Sequence, residues 1–129
     1  MNKLEFYYVP WLLRREYSLT EEDLLNLNDP FISYYCTSDK SIAKEFYALY
    51  AKSNFQPTSM GYMEPFMIVN VQYKNGKILR IAIDKSISLF QLENRIYVLN
   101  PDIKGWINKQ VPSATLPKGI RKNDCASKL

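Results

Sequence analysis

Two short segments carry side chains suited to chemistry: Gln91-Leu92-Glu93 and the Cys36-Thr37-Ser38 corner. The corner follows the apolar and aromatic run Phe31-Ile32-Ser33-Tyr34-Tyr35 and passes directly into an amphipathic stretch ending near Tyr50. Strand, hydroxyl cluster and helix in succession turn hydroxyls and the first free helix N–H groups toward one space, where a ligand can be held. Glu93 is the carboxylate available to join them. The same residues also have plainer uses. Thr37-Ser38 suits a helix N-cap, Glu93 suits a solvated turn, and Arg14-Arg15-Glu16 suits a self-paired surface group.

The elements that must position these groups are legible from pattern. Leu4 to Val9 reads as a first strand, stopped by Pro10. Thr20-Glu21-Glu22-Asp23 reads as a helix start, with Thr20 as cap and three acids in the positive first turn. Leu24, Leu25 and Leu27 supply its apolar side before Asn28-Asp29-Pro30 ends it. Phe31 to Cys36 is a second strand. Ser38 or Asp39 caps a second helix, in which Ile42, Phe46, Leu49 and Tyr50 recur at helical spacing. Ser53 to Pro65 is a long connection, the length of a binding loop or lid, or of a plain surface excursion. Lys74-Asn75-Gly76 between β-rich runs, Phe66–Tyr73 and Lys77–Ile83, predicts a hairpin. Ile87–Leu92, Arg95–Leu99 and Ile103–Ile107 read as further short strands. The expected fold class is α+β: small curved mixed or antiparallel sheets, with two main helices in the N-terminal half.

The 129 residues suit one domain, read as residues 1–111, with 112–129 as a basic, flexible tail. Residues 1–107 hold 12 Lys+Arg and 12 Asp+Glu, so the net charge of +4 belongs entirely to the last 22 residues. A neutral body argues against a nucleic-acid face, although tyrosines on a sheet would suit base stacking. Cys36 and Cys125 lie far apart with no metal-ligand spacing. They are expected to stay unpaired, Cys36 as a small buried hydrophobe, in a reducing cytoplasm. No segment has the length or apolarity of a signal peptide or a membrane span, so a soluble intracellular protein with no membrane partner is expected.

Taken in order, Tyr7-Tyr8, Tyr35-Cys36-Thr37-Ser38, Ala43-Lys44-Glu45-Phe46, Gln91-Leu92-Glu93 and Tyr97-Val98-Leu99-Asn100-Pro101 resemble the motifs of the ADP-ribosyltransferase superfamily. The resemblance spans roughly residues 4 to 101. It implies NAD as cofactor and transfer of ADP-ribose to a protein or nucleic-acid acceptor. Glu93 would stabilise the positive charge that develops on the ribose. Gln91 would orient the acceptor, Thr37 and Ser38 would shape the nicotinamide pocket, and Tyr34 or Tyr47 would stack on the ring. The chain departs from the family at the first strand, which lacks the expected arginine or histidine; Arg14 or Arg15 would have to hold the phosphates. Cys36 stands where serine is usual, and the Asn94-Arg95-Ile96 spacing exceeds the family's. The alternative is a non-catalytic inhibitor or adaptor that grips a protein partner with exposed aromatics and the basic tail, Trp11 and Trp106 being the first anchors to consider.

Overall fold

Alternation in Lys3–Tyr8 (β1) organises the molecule: Leu4, Phe6 and Tyr8 are buried on one face, while Lys3, Glu5 and Tyr7 point to the other. The computed structural model describes residues 3–9, 19–112 and 119–125. Arg14, Arg15 and Trp11, named above, lie outside the described residues.

β1 pairs antiparallel with Ser33–Thr37 (β2) on one side and Pro65–Gln72 (β3) on the other. β3 continues through the Asn75-Gly76 hairpin into Ile78–Asp84 (β4), with Gly76 at φ 85°, the left-handed region a glycine enters without a Cβ clash. Leu89–Leu92 (β5) and Arg95–Val98 (β6) complete one side of the sheet, and Arg121–Asp124 (β7) runs parallel to β2 at the other. Among the described residues the strand order is β6-β5-β4-β3-β1-β2-β7, one continuous seven-stranded sheet.

Three helices among the described residues cover it. Glu21–Leu25 (α1) begins with a reciprocal capping box between Thr20 and Asp23. Lys40–Ala51 (α2) is capped by Asp39, whose carboxylate accepts from the N–H groups of Ser41 and Ile42. Asp102–Gln110 (α3) packs beside α2, where the Trp106 indole donates to Glu45 Oε1 at 3.1 Å. The larger core lies between the sheet and the helices α2 and α3, built on Phe6, Phe46, Val69, Ile81, Phe90 and Ile103. A smaller core under α1 joins Leu19, Leu24, Ile32, Ile68 and Ala82.

The α+β class and the mixed, mostly antiparallel sheet agree with the sequence reading. Three local expectations are corrected. Ile103–Ile107 is helical, because Ile103, Trp106 and Ile107 recur at helical spacing and turn toward the core. Cys36 and Cys125 form a disulfide, their Cα atoms 5.5 Å apart across 89 residues of sequence. Part of the segment read as a tail belongs to the sheet, since β7 is bound to β2 and anchored by Arg121 to the carbonyls of Leu27, Asp29 and Ile32.

Candidate functional site

Register decides which sequence-predicted residues meet. β2 and β5 are separated by β1, β3 and β4. Four inter-strand spacings put Thr37-Ser38 and Gln91-Leu92-Glu93 roughly 19 Å apart across the sheet. The hydroxyl corner is built as a helix entrance. Thr37 is buried and its Oγ1 accepts from the Asp39 N–H at 3.2 Å, while Asp39 caps α2. Gln91 and Glu93 stand instead with Arg80, Ile78 and Glu21 around a hollow of about 320 Å³ on the α1 side of the sheet. Glu93 and Asn94 form the β5–β6 turn at φ 51° and 67°, the left-handed geometry that matches the twist of a tight hairpin.

Tyr34 belongs to a third group. It lies opposite Tyr7, ring centroids 5.1 Å apart, and its hydroxyl donates to Glu5 Oε2 at 2.6 Å, with the Tyr7 hydroxyl at 3.4 Å from the same oxygen. Lys3 Nζ approaches that oxygen at 4.0 Å. Burial, then the Glu5 carboxylate, pushes the Tyr7 phenol up to about 12, while Arg80 pulls the other way. The Tyr34 phenol is raised as well, first by burial and then by its bond to Glu5. One strand further, Asn70 is only 4% exposed and accepts from Arg80 Nε at 3.1 Å. Glu5, Asn70 and Arg80 therefore form a polar row across β1, β3 and β4. Polar residues at alternate positions on those strands were the available sequence signal, and sequence reasoning passed over all three.

Tyr47 falls on the opposite side of the sheet, on the outer surface of α2. Its ring is 44% exposed and meets Lys40, Lys44 and Lys74 around a second hollow of about 340 Å³. Among the described residues, no carboxylate lies within 4.0 Å of these lysines. From Tyr47 the aromatic contact continues to Tyr50 at 6.4 Å, then to Phe55 at 5.4 Å, and from Phe55 to Tyr97 at 6.3 Å. Phe55 is 46% exposed. Burial, then the neighbouring Tyr73, Tyr47 and Tyr97, pushes the Tyr50 phenol up to about 12. Trp106, by contrast, packs on the core at 5.5 Å from Phe46 and offers little ring to a partner. Glu64 in the long loop accepts from the Leu19 N–H at 3.0 Å, which ties that loop to the entrance of α1.

No group of three or more metal-ligating side chains occurs among the described residues, and no described helix is long and apolar enough to cross a membrane. Comparison with protein-family models, curated proteins and solved structures found no match.

Proposed function

We propose that this protein is a binding module whose contact surface is the outer side of α2 together with Phe55. One observation carries the reading: the exposed ring of Tyr47, with three lysines around its hollow and no described carboxylate beside them, is joined through buried Tyr50 to the exposed ring of Phe55. Aromatic anchors with a charged rim are the usual composition of a protein-recognition patch. Unpaired lysines favour an acidic partner, which they would steer and orient. The basic strand β7 lies at the far side of the sheet and serves a different surface. The disulfide fits an oxidising compartment better than the reducing cytoplasm expected from the sequence.

The transferase reading requires Glu93 and Ser38 to share one nicotinamide cleft, and the three intervening strands favour the binding module over it. The test compares the wild type with Tyr47→Ala/Phe55→Ala and with Lys40→Glu/Lys44→Glu in capture from extracts of the source cells. The expected result is a saturable, acidic, salt-sensitive partner lost by both variants and retained by Arg80→Gln. Equal capture by all forms would remove the reading. A parallel incubation with labelled NAD is expected to leave protein and nucleic acid unlabelled, and labelling abolished by Glu93→Ala would restore the transferase.

A further inference from the structure

We propose that the hollow between Arg80 and the β5–β6 turn is a binding site for a free aliphatic α-amino acid. It lies on the opposite side of the sheet from Tyr47 and Phe55, so it stands or falls independently of the protein-binding surface.

The argument begins with Arg80. Its Nε is held by the buried oxygen of Asn70 at 3.1 Å, which fixes the plane of the guanidinium. Among the described residues no carboxylate lies within 4.0 Å of it, so its terminal nitrogens keep their donors for an incoming group. A planar fork held by a neutral amide is suited to a carboxylate or phosphate oxygen pair. The same hollow is also lined by Glu21 and Glu93. Two carboxylates beside one guanidinium repel a simple anion and attract an ammonium group. A ligand bearing one carboxylate and one ammonium satisfies both halves of the site; an anion or an amine alone satisfies one half and leaves the other desolvated.

Size and apolar lining narrow the class. About 320 Å³ accommodates a single amino acid with some water. Ile78, exposed over 53% of its surface, forms the non-polar part of the wall, while the partly buried Leu79 and Leu92 border the hollow but turn their side chains to the core on the other face of the sheet. An aliphatic side chain laid there would cover Ile78, a large hydrophobic residue otherwise facing water. Gln91 adds an amide that can bond either charged end of the ligand.

The test uses L-leucine as probe, followed by nitrogen–proton NMR correlation spectra and by calorimetry. L-leucinamide lacks the carboxylate and 4-methylpentanoate lacks the ammonium. The expected result is saturable binding in the millimolar range or tighter, with the largest shifts at Arg80, Gln91 and Asn94. Each analogue should bind at least about 10-fold more weakly, as loss of one charged hydrogen-bonding group implies. Arg80→Gln and Glu93→Gln should each cost a similar factor while circular dichroism shows both variants folded, Arg80→Gln with a lowered thermal midpoint because Asn70 loses its partner. Absence of saturation, equal binding of leucine and both analogues, or undiminished binding by a folded Arg80→Gln variant would each overturn the proposal.

Discussion

Tyr34 reaches across from β2 to place its hydroxyl 2.6 Å from Glu5 Oε2 on β1, a strand-to-strand bond to a carboxylate largely withdrawn from water. It fixes the polar side of the sheet where β1, β2 and β3 meet. Glu5 faces Cys36 on one neighbour and Asn70 on the other, so the bond also borders the disulfide.

Removing this hydroxyl tests its weight. Tyr34→Phe keeps the ring packed against Tyr7 and leaves Glu5 with the longer Tyr7 contact. Loss of a bond to a charged acceptor should lower stability by about 1 to 2 kcal/mol in urea unfolding. An unchanged midpoint would mean that water replaces the hydroxyl at no cost.

Alkaline titration should expose the raised tyrosines. Tyr7 and Tyr50 release their protons near 12 in the folded protein and near 10.0 when unfolded. The folded state then holds more protons between those values, so stability is fully present below 10.0 and falls as pH rises toward 12. Phenolate absorbance should therefore lag behind a ten-tyrosine random chain and then rise together with loss of near-ultraviolet circular dichroism. Full phenolate formation near pH 10 with the fold intact would contradict it.

The disulfide should matter to the whole fold and most of all to β7. All four β7 side chains are exposed and add little apolar burial, so the strand relies on its ladder to β2, on Arg121 and on Cys125. Cys125→Ser, or reduction, should cost about 2 to 4 kcal/mol in urea unfolding. Amide exchange should accelerate first at residues 121–124. Unchanged protection there would show that Arg121 and the ladder suffice.

The β5–β6 turn should be improvable. Glu93 adopts φ 51°, where a side chain is crowded and glycine is not. Glu93→Gly should raise stability by up to about 1 kcal/mol in thermal unfolding. A drop would show that the carboxylate contributes more to the fold than its backbone costs.

Legibility in the sequence followed the range of the forces involved. Local signals were readable: Thr20 as one cap and Ser38 or Asp39 as the next, Asn75-Gly76 as a hairpin, β1 as a strand ending before Pro10 and the helical spacing of α2. Each rests on residues a few positions apart. α3 was not, because Ile103 to Ile107 is too short an apolar run, interrupted by Gly105, to separate a period of 3.6 from one of 2. The Cys36–Cys125 bond and the parallel β2–β7 pairing were not readable either, since both depend on a return of the chain from about 90 residues away. The candidate sites divided in the same way. Gln91 and Glu93 do share a pocket, as near neighbours, but their companion Arg80 and its support Asn70 come from other strands that only the register brings alongside.

The loop after α2 has a last consequence. The Asn54 N–H bonds to the Val98 carbonyl and the Thr58 N–H to that of Ile96, so the outer side of β6 already has a lodger. That margin offers a second copy fewer free carbonyls to pair with. The opposite margin presents Lys122 and Asp124, exposed charges that discourage stacking. The seven described strands form a ribbon that is partly covered at one end and charged at the other.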